Sequence, residues 1–303
     1  MSVSRLDERP RPRTGVAVEL HPIIAADLPE VARFLHDELD PRVPAGRWAA
    51  QIVPTWAVDQ PNYGFLLRCR GQVVGAHLAY YCERPINGVP QRFCNLAAWC
   101  VAEPYRSHGV RLLRALLRQQ GYHFTDLSPS QAVRALNERL GFAPLDTSTV
   151  VVANLGLPVR ARGVQIVSDR RRIEQLLRGE ALALYRDHAG AAAVRHAVIL
   201  RGAKTCHVMY RRVRRKNLPL FAALVYVGDR ELFRAAVPQF LRHLLLHHGL
   251  PAVLIEAHVA GSGFARPMVV CRPVSERPKM YRSDTLAPAQ IDYLYSELTG
   301  MQW

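Results

Sequence analysis

The chain has 303 residues, 49% of them hydrophobic and 21% charged, and a formal net charge of +15. The apolar fraction excludes a disordered chain, and the 19 Gly and 21 Pro are scattered without the period of a fibrous repeat. No run approaches the roughly 20 apolar residues of a membrane-spanning helix. The length allows two domains. Residues 1–15, MSVSRLDERPRPRTG, are polar and rich in Arg and Pro. They predict a disordered leader without a secretory signal, on a cytoplasmic protein. Cysteines 69, 82, 94, 100, 206 and 271 show no C-x-x-C spacing and no cluster with histidine, which predicts buried free thiols and no metal site.

In chain order, VAVELHPI reads as a strand by its alternation. A helix opens at Ala26–Pro29 with Asp27 as N-cap and a stripe of Val31, Phe34, Leu35 and Leu39. Residues 41–62 read as irregular. GFLLRCRGQVVGAHLAYY predicts two strands around Arg70–Gly71, and Asn87–Gly88 marks a second turn. The strand RFCNLAAWCV runs into the polar turn EPYRSHG and the helix VRLLRALLRQQGY. A second helix, Ser130 to Leu140, ends at Gly141 in the C′ position. STVVVANL is expected to close this unit near residue 155, with a boundary at Pro158–Gly163.

The second half repeats the order loosely. SDRRRIEQLLRGEALALYRDH predicts a helix capped by Ser168 or Asp169. AVILRG, TCHVMYRRV and LPLFAALVYVGD are strands. RELFRAAVPQFLRHLLLHH is a helix kinked at Pro238, PAVLIEAHV is a strand, and the tail ends in a helix through Ile291, Leu294, Tyr295 and Leu298. This echo predicts two related α/β units in tandem, residues 16–157 and 158–303.

Charge separates the halves. Residues 1–155 hold 17 basic and 14 acidic residues, whereas 156–303 hold 23 basic and 11 acidic. The runs Arg170–Arg172 and Arg211 to Lys216 concentrate the excess, which suits a polyanionic partner. His243 and His247 lie four apart on one helix, but no third ligand accompanies them.

The chemistry-bearing stretch is Trp99 to Leu113, WCVAEPYRSHGVRLL. A strand enters a short turn holding Arg and Gly, and a helix starts at once. Free backbone N–H groups and the positive helix end meet there, with Arg106 and Arg111 alongside. Gly109 is expected to let an anion approach the main chain. The arrangement predicts pyrophosphate recognition.

These residues resemble the GCN5-related N-acetyltransferases, whose acyl-CoA motif is Arg/Gln-x-x-Gly-x-Gly/Ala after a strand, with Val-x-Pro-x-Tyr/Phe-Arg before it. Val101 to Arg111 matches that pattern, and Asn137–Glu138–Arg139–Leu140–Gly141–Phe142 resembles the family's downstream signature. The resemblance covers about residues 16–155. It implies a mixed, mostly antiparallel sheet flanked by helices, in two tandem units of which the second is a degenerate copy. It implies CoA held by Cys100, Val101, Arg106, Ser107, His108, Gly109, Val110 and Arg111, with the strand Leu96–Val101 aligning the pantetheine and the acyl carbonyl. It further implies direct attack of an amine on acetyl-CoA or another acyl-CoA, the acceptor being a small molecule or a peptide. Tyr80, Tyr81 and Glu83 would flank the acceptor cleft. Asn95 stands near the family's carboxylate base and Asn137 where a Tyr often protonates the thiolate, so these two occupy the catalytic positions. Arg111 replaces a small residue. Two other readings remain open at this point: a donor carried by aminoacyl-tRNA or an acyl carrier protein, and a non-catalytic CoA-binding protein.

Overall fold

The computed structural model describes residues 17–153, 163–215, 218–261, 269–270 and 279–302. The leader, most of the expected boundary at 158–163, Lys216 and Cys271 lie outside the described residues.

The first lobe opens with β1 (Val18–Pro22), α1 (Leu28–Glu38) and α2 (Ala45–Ile52). Helix α2 falls in the stretch read as irregular, where Gln51, Trp48 and Ile52 turn one face inward. Asp27 precedes α1, but its carboxylate makes no cap bond to that helix. It accepts instead from the Ile24 N–H and from Arg68.

The hairpin β2 (Gly64–Cys69) and β3 (Gln72–Ile86) turns at Arg70 and Gly71, with φ of 51° and 78°. Asn87 and Gly88 turn β3 into β4 (Val89–Val101) with φ of 52° and 78°. Positive φ at both central residues matches the right-handed twist of paired strands, so both turns were readable in the sequence. Then follow α3 (Gly109–Leu117), β5 (His123–Asp126), α4 (Gln131–Arg139) and β6 (Ala143–Pro144). Gly141 ends α4 with φ of 84°, and the Phe142 N–H reaches back to the Asn137 carbonyl, as a C′ glycine requires.

The second lobe contains β7 (Thr149–Ala153), β8 (Val164–Val167), α5 (Arg170–Leu176), α6 (Gly179–His188), β9 (Val194–Arg201), β10 (Lys204–Arg215), β11 (Leu218–Val227), α7 (Arg230–His248), β12 (Ala252–Glu256), α8 (Ala257–Ala260) and β13 (Val269–Val270). Asp169, not Ser168, caps α5, accepting from the Arg172 N–H. The single helix expected here is two, parted where Gly179 takes a φ of 53°. Helix α7 runs through Pro238.

Each lobe has one seven-stranded sheet, ordered β1-β2-β3-β4-β5-β14-β6 and β13-β7-β12-β11-β10-β9-β8, where β14 is Met280–Arg282. Both are mostly antiparallel, with one parallel pair each, β4·β5 and β11·β12. The lobes exchange strands. β7, expected to close the first unit, pairs with β12 of the second sheet, and β14 returns to sit between β5 and β6 of the first.

After β14 the chain stays at the lobe junction. The helix expected through Ile291–Leu298 is only a short terminal turn, α9 (Glu297–Gly300). The segment is pinned by side chains instead. Tyr293 donates to Glu256, Tyr295 donates to Asp187, and Arg84 pairs with Asp292. Met301, fully buried, joins the core formed by α1, α2 and β3. Pinning by partners from both lobes outweighs the local preference for a longer helix.

Candidate active site

The site begins with a bulge. Across β3·β4, His77 faces Trp99 and Leu78 faces Ala97, so Ala98 is the extra residue, with φ of 32°. A bulge bends its strand and breaks the ladder locally. On the other side β4 runs parallel to β5 only from Phe93↔His123 to Leu96↔Asp126. β5 ends there while β4 continues to Val101, so residues 97–101 present their outer backbone edge to no strand among the described residues.

A cavity of about 310 Å³ lies in this opening. Its walls include Leu96–Trp99 of β4, Asp126 at the end of β5, Ser128 and Ser130 before α4, and Asp40 and Trp48 from the α1–α2 side. His77 stacks on Trp99 at 4.8 Å between ring centres, nearly parallel. Burial pushes its imidazole down to about 3, so it is neutral at physiological pH.

The start of α3 adjoins β4. A short 3-10 turn, Glu103–His108, precedes it, and His108 at the N-cap position makes no side-chain cap bond. The turn runs directly into α3, and the Gly109 N–H donates to the Arg106 carbonyl, so the backbone of the turn supplies the first partner of the helix. Arg106 and Ser107 are exposed at this turn, while His108 and Val110 are half-buried. Arg111 donates to the Val18 carbonyl at 2.8 Å and keeps the same nitrogen 3.3 Å from His108 Nδ1 at the end of the turn. A Cβ on Gly109 would meet Val101 at 3.4 Å and Trp99 at 3.6 Å. A Cβ would sit there in ordinary contact, so Gly109 faces β4, and a side chain longer than Ala would meet Trp99 and Val101. Cys100 is buried, and burial raises its thiol to about 11, which leaves no thiolate for nucleophilic chemistry.

Asn95 and Asn137 stand behind the cavity. Asn137, fully buried, donates to Asp126 Oδ2 at 2.8 Å. Asn95 donates to Thr125 Oγ1 at 3.0 Å and accepts from the Glu297 backbone N–H at 2.9 Å. Each asparagine thereby orients a carboxylate-bearing residue. Tyr80 and Tyr81 are buried, Tyr80 donating to the Gln51 carbonyl and Tyr81 to Asn62, while Glu83 is exposed.

Two carboxyls meet here that the sequence did not single out. Burial raises Asp126 to about 6 against the lowering effect of the Asn137 bond. Glu297 is fully buried, and burial together with the Asp126 charge raises it to about 7. Its Oε1 accepts from Ser128 Oγ at 2.9 Å, and its Oε2 is buried without a hydrogen-bond partner. Ser128 lines the cavity and so links Glu297 to it. Asp126 was hidden because no element is read from sequence at HFTD, which the structure makes the strand β5. Glu297 gave no signal because 171 positions of chain separate it from Asp126, and only the returning tail joins them.

The second lobe offers a contrast at the equivalent place. β11 and β12 pair only over Phe221–Ala223 and Ala252–Leu254 before parting, and Gly228–Asp229 leads into α7. Here the Asp229 side chain accepts from the Leu232 N–H at 2.9 Å. A carboxylate already occupies the helix start and repels a phosphate. The cavity of about 350 Å³ at this parting is lined by the chain's own Ile291–Tyr293.

No protein-family model matches the chain, and no curated protein matches it in sequence. Solved structures do. A GCN5-related N-acetyltransferase from Anabaena variabilis gives a TM-score of 0.59 at 11% identity, over 88% of this chain and 72% of that one. One from Kribbella flavida gives 0.53 at 14%, over 88% and 71%. The Saccharomyces cerevisiae N-myristoyltransferase, solved with bound myristoyl-CoA, gives 0.53 at 11%, over 95% and 85%. The chain has the GCN5-related N-acetyltransferase fold. Among the described residues no group of His, Cys, Asp or Glu could hold a metal ion, and no helix is long and apolar enough to cross a membrane.

Proposed function

We propose that the protein is an acyl-CoA-dependent N-acyltransferase whose chemistry lies in the first lobe. The observation that carries this is the meeting, at one cavity, of a bulged and parted β4 and the buried carboxyl of Asp126, with the start of α3 packed at Gly109 against Trp99 of the cavity wall. The exposed Arg106 and Ser107, at the positive end of α3, receive the CoA pyrophosphate, as anions are received at helix starts. The free edge of residues 97–101 hydrogen-bonds the pantetheine arm and brings the thioester to the cavity. The second unit is a degenerate copy, because Asp229 seals its helix start.

Acyl transfer then needs positioning and proton handling. The amine nitrogen attacks the thioester carbonyl, the C–S bond breaks and the thiolate leaves with CoA, where it takes up a proton. Asp126, held by Asn137, accepts the proton the amine loses; with a pKa near 6 it is mostly ionised at neutral pH. Asn95 and Asn137 are positioning residues in this scheme. The acceptor is a small or peptidic amine, with acetyl-CoA the first donor to test. The five free thiols of the described residues, all buried, fit a reducing, acyl-CoA-containing cytoplasm.

A thermal-shift titration with CoA, acetyl-CoA and longer acyl-CoAs tests this. Ligand at 100 times its dissociation constant stabilises by about 2.7 kcal/mol. A raised Tm followed by acyl-dependent thiol release with an amine panel supports the proposal. No Tm response to any of them refutes it.

A further inference from the structure

The second lobe holds a separate cavity of about 160 Å³, walled by α5, β9, β10 and the end of α7. Tyr210 and Tyr185, both buried, are among its apolar walls. Its arginine and histidine side chains carry, when charged, one sign. Arg195 stands on β9 directly across from Tyr210 of β10, so the two share a sheet face. Arg170 enters from the start of α5, and His248 from the last residue of α7, its ring 6.2 Å from Tyr210. Ser168 adds a hydroxyl.

No carboxylate lines the cavity among the described residues, and neither Arg170 nor Arg195 forms an ion pair with a described residue. This sets them apart from Arg68, Arg84 and Arg186, each of which has an acidic partner. His248 Nε2 is buried with no hydrogen-bond partner. The cationic groups repel one another: Arg212, His247 and Arg195 add to burial in holding His248 below its ordinary value, and Arg170 and Arg195 do the same to the neighbouring His196. Like charges gathered around a recess are stabilised by an anion that bonds to several of them at once.

We infer that this pocket binds a small phosphate-bearing molecule, with Arg170 and Arg195 gripping the phosphate and Ser168 and His248 donating to its remaining oxygens. A phosphate group suits the volume, and the tyrosine walls suit an organic ester behind it. The site is distinct from the first-lobe cavity and does not depend on the CoA reading.

Calorimetric titration of the full chain with inorganic phosphate and with phenyl phosphate, at constant ionic strength, tests the inference. Both arginines are exposed, so R170Q and R195Q should leave the fold intact. The expected result is saturable binding, tighter for the ester, weakened at least tenfold in each variant and partly restored in R195K. A phosphate site at the first-lobe turn is distinguished because neither variant would touch it. Absence of saturable binding, binding undiminished in both variants, or binding confined to a single-stranded RNA oligonucleotide would overturn it.

Discussion

Replacing Glu297 with Gln keeps the side chain's shape and its bond from Ser128, and removes a charge that the fold opposes. The carboxyl ionises near 7 in the folded chain, against an ordinary 4.5. At 1.36 kcal/mol per pKa unit, the ionised side chain costs the fold about 3 kcal/mol. The sign follows from the raised value. Below pH 4.5 the group is protonated folded and unfolded, and nothing is lost. As pH rises from 4.5 to beyond 7, the folded chain binds more protons than the unfolded one, so stability falls. Urea unfolding of the wild type and E297Q across pH 4 to 9 reads this directly. The two should agree near pH 4, and E297Q should be the more stable by about 3 kcal/mol at pH 8.5. Parallel curves would refute the burial argument, and with it the claim that the tail delivers an ionisable group to the cavity.

Asp126→Asn should lower kcat by about 10²–10⁴, while the wild-type kcat/KM rises with pH through about 6; an unchanged rate would remove Asp126 as proton acceptor. Arg106→Glu, at an exposed turn position, should weaken CoA binding at least tenfold by calorimetry with Tm unchanged. Gly109→Leu should destabilise by about 1–3 kcal/mol in urea, because its side chain enters the contact with Trp99 and Val101. Met301→Ala should cost about 3 kcal/mol by emptying the first-lobe core, and a negligible effect would show that the tail is not seated there.

Much of the fold was legible in the sequence because its signals are local. Arg70–Gly71 and Asn87–Gly88 specify hairpins through their own backbone preferences, Gly141 ends a helix, and Trp99–Leu113 announces a strand, a turn and a helix start. The tertiary structure decided what depends on distant partners. Thr149–Ala153 is a strand by composition, but which sheet it joins depends on β12, about a hundred residues on. Gly109 reads as room for an anion, yet the direction of its absent side chain depends on where Trp99 lies. Asn95 and Asn137 stand at the motif positions, while their partners, the Glu297 backbone and the Asp126 carboxyl, come from a tail that carries no motif and from the end of a short strand. Sequence determines local backbone preference and periodicity; the ionisation of a buried carboxyl depends on what the rest of the chain packs around it.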